Sequence, residues 1–125
     1  MTRLLIVDDE PKLVSVLKGF LETKGFDVRT ASSGEEAMQL VEQHQPHVML
    51  LDLNLEGSAV SGLDVLTKTK ARFPSTVVFV VSGYTEEDKK EQALKQGADR
   101  YLEKPLLLPD VLKAVQEAAA NLPPS

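Results

Sequence analysis

The chain has 125 residues, 42% of them hydrophobic, no cysteine, no tryptophan and a formal net charge of −5. That is one domain's worth of sequence, with a core that buries roughly two-thirds of the unfolded surface. It excludes disulfides and thiolate metal sites, leaves no apolar run near the ~20 residues of a membrane span, and argues against a nucleic-acid surface, which needs clustered Lys and Arg.

Strands and helices alternate along the chain. Leu4-Leu5-Ile6-Val7 predicts a strand over 3–7 that ends at Asp8 and Asp9. A helix follows over 11–24, with Pro11 at its start, Gly25 past its end, and Leu13, Val16, Leu17, Phe20 and Leu21 at helical spacing. A second strand, 26–31, alternates apolar and polar residues. Ser33-Gly34-Glu35-Glu36 reads as a capping box opening a helix over 34–44. Val48-Met49-Leu50-Leu51 predicts a strand over 47–51 that ends at Asp52, followed by a helix over 61–72. Val77-Val78-Phe79-Val80-Val81 predicts a strand over 76–81 that ends at Ser82-Gly83. Thr85-Glu86-Glu87-Asp88 reads as a second capping box, opening a helix over 86–96. Between Glu86 and Gln96 that helix holds only Ala93 and Leu94 as apolar residues. Glu86–Lys90 and Glu91–Lys95 are i, i+4 pairs, so it reads as a solvated surface helix or a weakly anchored, mobile one. The last strand, 99–103, leads to Lys104-Pro105. Pro109 opens a helix over 109–121 with Val111, Leu112, Val115 and Ala118 as its stripe. The domain is expected to span 1–121, with 122–125 a tail or the start of a linker.

Five βα units in a row imply an α/β fold, a doubly wound parallel sheet with helices on both faces. The first, third and fourth strands are nearly continuous apolar runs, as when both faces are covered. The second and fifth alternate more, as edge strands do. This pattern predicts the flavodoxin-like order 2-1-3-4-5, with its ligand crevice between the first and third strands. All five strands then end on one edge. Asp8, Asp9, Asp52, Ser82 and Lys104 converge there.

Three carboxylates packed together resist ionising unless a cation sits among them. Mg²⁺ takes hard oxygen ligands and keeps several waters. The bland alternative is that Asp8 or Asp9 caps the following helix. Lys104 alone is an ordinary solvated lysine, Ser82-Gly83 alone an ordinary turn. An X-Pro bond does make a cis peptide affordable, which would aim Lys104 back into the site.

With these residues in place, the chain resembles the receiver domain of two-component response regulators over residues 3–121. The resemblance rests on Asp8-Asp9, the acceptor position Asp52, Ser82-Gly83, the aromatic Tyr101 and Lys104-Pro105. Their separations are also family-like: 43 from Asp9 to Asp52, 30 from Asp52 to Ser82 and 22 from Ser82 to Lys104. It implies that Asp52 accepts a phosphoryl group from a phosphohistidine, on a sensor histidine kinase or a histidine phosphotransfer protein. It implies that Asp9, Asp52 and the backbone carbonyl of Asn54 ligate Mg²⁺, with Asp8 acting through water. Ser82 and Lys104 would bind phosphoryl oxygens. Tyr101, otherwise ordinary packing, would turn inward when Ser82 moves. Tyr84, otherwise open to solvent, would crowd the hydrolytic water opposite Asn54. The switch face would comprise the fourth helix, fifth strand and fifth helix, offered to an unknown output partner, a missing effector domain or a second copy. The location implied is the cytoplasm of a bacterium. The N-terminus, stopped early by Asp8-Asp9-Glu10, fits this because it lacks the long apolar core of a signal peptide.

One departure stands out. The family usually has Met-Pro or similar three and four positions after the acceptor and glycine at the eighth. Here Leu55-Glu56 follows, and Gly62 is ten positions on. A two-residue insertion within Glu56–Ser61 is expected to lengthen the loop over the site. Two other readings compete. A pseudo-receiver, a constitutive binding module, would not need the trio and Lys104. An aspartate-nucleophile phosphatase would want an acid two positions after Asp52, where Asn54 stands. A nucleotide site lacks a Gly-rich loop after the first strand.

Overall fold

The computed structural model describes residues 1–55, 57–83 and 87–122. Strands β1 (Arg3–Val7), β2 (Asp27–Ala31), β3 (Val48–Asp52), β4 (Val77–Ser82) and β5 (Arg100–Glu103) alternate with five helices. These are α1 (Pro11–Thr23), α2 (Gly34–His44), α3 (Gly62–Arg72), α4 (Glu87–Lys95) and α5 (Leu108–Ala120). All strand pairs are parallel, in the order β2-β1-β3-β4-β5. The edge strands are β2 and β5, the two whose sequences are not continuous apolar runs.

Period-two alternation divides each central strand between two cores. Leu5, Val7, Met49, Leu51, Val78 and Val80 face α2, α3 and α4, meeting Ala37, Val41, Val65, Leu66 and Ala93. Leu4, Ile6, Val48, Leu50 and Phe79 face α1 and α5, meeting Leu17, Leu21, Val111, Ala114 and Val115. Burying one such Leu or Ile contributes about 1.5–3 kcal/mol, so both faces of β1, β3 and β4 hold the sheet rigid beneath its C-terminal edge.

Local chemistry explains most boundaries. Gly25 takes φ +92° just past α1, a left-handed conformation that favours glycine. Ser33 caps α2 by accepting the Glu36 N–H, but Glu36 reaches past Ser33 and accepts the Ser32 N–H at 2.8 Å. The predicted box is thus displaced by one residue on that arm. A full capping box, with no counterpart among the sequence expectations, opens α3: Ser61 accepts from the Asp64 N–H and Asp64 accepts back from the Ser61 N–H. Val16 is 54% exposed rather than in the stripe. It lies about 100° around the helix from Leu17, outside the arc centred on Leu17 and Leu21. In α4 only Ala93 is buried, and Leu94 is 45% exposed. Glu91 and Lys95 form no ion pair among the described residues. The predicted Glu86–Lys90 pair and the Thr85–Asp88 box involve residues outside those described.

Candidate functional site

Parallel strands deliver their C-terminal residues to one edge, and β1 and β3 are neighbours there. Asp8 and Asp9 follow β1; Asp52 closes β3. One carboxylate oxygen from each lies within 4.8 Å of the other two. Asp8 and Asp52 are buried, at 4% and 3% exposure, and Asp9 is half-buried.

The two buried carboxylates use their oxygens alike. Asp8 Oδ1 accepts the Glu10 N–H at 2.9 Å, and Asp52 Oδ1 accepts the Asn54 N–H at 2.9 Å. Each side chain thereby braces its own loop two residues on, an Asx turn. The second oxygens face a shared cation, the Lys104 ammonium, at 2.9 Å from Asp52 Oδ2 and 3.4 Å from Asp8 Oδ2. Glu10 lies 3.8 Å from the same ammonium. The Asx turn also answers the capping alternative. Asp8 braces the turn before α1, while the N-cap of that helix is Glu10, with no side-chain hydrogen bond. The Lys104–Pro105 peptide bond is cis.

The charge balance is tight. Burial pushes the Asp52 carboxyl above its ordinary value; the Asn54 N–H and Lys104 oppose this, and the Asp8 charge adds to it. Burial also works against the Lys104 ammonium. Its bond to Asp52 and the fields of Asp52, Asp8 and Glu10 outweigh that, and its pKa ends above the usual lysine value. Three hard oxygen donors at this spacing, with one lysine holding two of them, fit a small divalent cation.

Ser82 closes β4 one register position beyond Val81, the partner of Asp52. Its hydroxyl belongs to a buried residue, 1% exposed. It lies 3.3 Å from the Tyr101 hydroxyl and 3.4 Å from the Gly83 carbonyl. The Tyr101 hydroxyl also lies 3.4 Å and 3.3 Å from the Ser82 and Gly83 carbonyls. The ring therefore projects to the end of β4. Asn54 is exposed at the mouth, and its side-chain oxygen accepts from Lys89 Nζ. Tyr84 lies outside the described residues, as does Glu56 within the predicted insertion.

Four of the residues singled out thus gather at one point: the Asp8, Asp9 and Asp52 carboxylates lie within 4.8 Å of one another, and Lys104 contacts Asp8 and Asp52. Ser82 and Tyr101 form an adjoining pair. Sequence reasoning missed Glu10, which extends the acidic pair and has contiguity as its only signal. It also missed Lys89 and Lys90. Lys90 sits 4.7 Å from the Tyr101 ring centroid, a cation–π contact. Helical spacing alone carries no signal for either reach.

The chain is similar to known proteins in sequence and in fold. The sequence profile of the response regulator receiver domain matches residues 4–116. The transcriptional regulatory protein KdpE of Mycobacterium tuberculosis is 37% identical over 118 residues, 94% of this chain and 51% of that protein. The nitrogen assimilation regulatory protein NtrX of Azorhizobium caulinodans is 35% identical over 102 residues, 82% of this chain and 22% of that protein. The chain thus spans about half, or less, of the length of these relatives. The crystal structure of the NtrX receiver domain from Brucella abortus superposes with TM-score 0.89 at 28% identity, covering 95% of this chain and 99% of that one. A CheY-like receiver domain from Methanospirillum hungatei gives 0.87 at 29%, covering 94% and 92%. The chain belongs to the response regulator receiver domain family, the signalling switches of two-component systems.

Proposed function

We propose that this domain is a phosphoacceptor switch and that Asp52 is the acceptor. The donor is a phosphohistidine on a sensor histidine kinase or a histidine phosphotransfer protein. An Asp52 carboxylate oxygen attacks phosphorus, the P–N bond to the imidazole breaks as the P–O bond forms, and an acyl phosphate results. The observation that carries this reading is the Lys104 ammonium, held between Asp52 and Asp8 beside a third carboxylate.

Phosphoryl transfer asks the protein mainly for positioning and charge neutralisation. Asp52 is positioned by the Asn54 N–H on one oxygen, which keeps the other directed into the site. Lys104 follows the negative charge from carboxylate to phosphoryl oxygens, a charge-assisted bond in either state. Asp9, Asp52 and the Asn54 carbonyl would hold Mg²⁺, with Asp8 acting through water. When bound, the ion neutralises the phosphoryl oxygens. Ser82 exchanges its Tyr101 and Gly83 contacts for a phosphoryl oxygen. Tyr101, bonded to Ser82 and stacked under Lys90, carries that exchange to α4.

The α4–β5–α5 face is then the surface presented to an output domain, a separate partner or a second copy. The domain acts only on its own acceptor, in both phosphorylation and dephosphorylation, and works in the cytoplasm. Acetyl phosphate with Mg²⁺ should add one phosphoryl mass to the wild type and none to Asp52→Ala. Undiminished labelling of the variant, or of the wild type in excess chelator, defeats the proposal.

A further inference from the structure

The loop between β3 and α3 is tied to the N-terminus of α2. Glu35 Oε1 accepts hydrogen bonds from the Val60 backbone N–H and the Ser58 hydroxyl, both at 2.8 Å. Ser58 Oγ accepts the Gly34 N–H at 2.9 Å, one of the amides a helix start leaves unpaired, and lies 2.6 Å from the Val60 carbonyl. A Cβ on Gly34 would stand 2.1 Å from that carbonyl, so the two backbones are in direct contact. The bond from Val60, then that from Ser58, holds the Glu35 carboxyl below its usual range.

The roots of the loop are equally fixed. Leu53 and Leu55 are buried at 6% and 8% exposure. The Ser58 N–H meets the Leu55 carbonyl at 3.4 Å. Gly62 lies against the Leu53 Cα and the Asp52 carbonyl. The loop, which the sequence predicts to be longer than the family pattern, is thus anchored at Ser58 and Val60 and at both roots. Asn54 lies between Leu53 and Leu55.

We propose that Glu35 is a positioning residue for the cation site, holding Ser58 and Val60 on α2 so that the Asn54 carbonyl is set for the ion. This rests on the proposed reading of that carbonyl as a ligand. An acid at a helix N-terminus also favours the helix by its charge, and any nearby carboxylate attracts a cation. The conservative variant separates these roles.

Wild type, Glu35→Ala, Glu35→Gln and Ser58→Ala of this 125-residue chain are titrated with magnesium chloride, following the amide resonances of Asp9, Asp52 and Asn54. Glu35→Ala should bind Mg²⁺ on the order of tenfold more weakly, the low end for residues that orient ligands. Ser58→Ala should move the same way. Glu35→Gln keeps the acceptor oxygen for Val60 and Ser58 and should stay close to wild type. Unchanged affinity in Glu35→Ala overturns the proposal. Equal loss in Glu35→Ala and Glu35→Gln also overturns it, assigning the effect to charge. If the wild type takes up no Mg²⁺, the cation reading itself fails, and the metal-free spectra decide on the clamp. Displacement of the Asn54 amide in Glu35→Ala supports it; changes confined to 57–61 overturn it.

Discussion

A methyl group added at Gly62 should damage both the fold and the site, whereas the same methyl added at Gly19 should help the fold. At Gly62 the new Cβ would stand 2.6 Å from the Leu53 Cα and 2.8 Å from the Asp52 and Leu53 carbonyl oxygens. All three are backbone atoms, so no side chain can rotate away. Relief requires α3 and the end of β3 to separate by several tenths of an ångström, against the buried Leu53. Overpacking of this kind costs about 1–3 kcal/mol. For a chain of this size each kcal/mol lowers Tm by roughly 4 °C, so Gly62→Ala should melt about 4–12 °C lower. The displaced atoms carry Asp52 and lead into Asn54, so Mg²⁺ affinity should fall with it. Gly19 lies in the interior of α1, and a Cβ there would meet nothing within 4 Å. At that position alanine should add about 0.5–1 kcal/mol through helix propensity. Thermal denaturation of both variants, with Mg²⁺ titration of Gly62→Ala, tests the pair. A Gly62→Ala protein as stable as wild type, or a destabilised one with unaltered Mg²⁺ binding, would refute the reasoning.

Three further outcomes follow from the charges. Asp52 is a buried acid whose folded pKa lies above its unfolded value, so its ionised form costs stability at neutral pH. Asp52→Asn, which removes the buried charge and keeps one oxygen to accept the Asn54 N–H, should therefore be more stable at neutral pH while accepting no phosphoryl group; a lower melting temperature would contradict this. Lys104→Ala leaves two buried carboxylates facing each other and should lose about 1–3 kcal/mol, with Mg²⁺ restoring a larger share of stability than it adds to wild type. An unchanged melt without Mg²⁺ would show that Lys104 does not neutralise the buried pair, and a normal amide-shift response to the phosphoryl mimic beryllofluoride would show that it does not bind the phosphoryl group. His44 and His47 are held below the usual histidine value first by burial, with Arg3 opposing their protonation and Asp27 partly offsetting this at His44. His47 Nδ1 accepts the Arg3 N–H at 2.9 Å, a bond the protonated ring cannot make. The unfolded chain then binds more protons, so this contribution is complete above about pH 6.5 and is lost as pH falls from there toward the folded values. Denaturation midpoints should decline below pH 6.5, less steeply in His47→Gln; a flat wild-type profile from pH 7.5 to 5.5 would exclude the effect.

Much of the fold was legible because it rests on period and burial. Val48–Leu51 and Val77–Val81 are apolar throughout because both faces of β3 and β4 are covered. Phe26–Thr30 alternates because β2 is an edge. The acidic trio and Lys104 were legible because parallel strands send their ends to one place. What escaped depends on contacts that sequence spacing does not encode. Glu35 looked like one more acid of a capping sequence; its partners, Ser58 and Val60, come from a loop 23 and 25 positions away. Glu36 passes over the expected Ser33 amide to that of Ser32 because the chain turns sharply before α2. Lys89 and Lys90 read as surface charges, yet they reach Asn54 and the Tyr101 ring because α4 begins beside the mouth of the site. The left-handed Gln45, φ 48°, ends α2 where glycine would be the readable signal.

The central claim is that one carboxylate among three adjacent ones forms the acyl phosphate. Borohydride reduction of the protein phosphorylated in Mg²⁺, followed by peptide mass spectrometry, identifies that carboxylate by its conversion to an alcohol. Conversion at Asp52 alone is the predicted result. Conversion at Asp8 or Asp9, or a phosphorylated protein with Asp52 unconverted, would contradict the account.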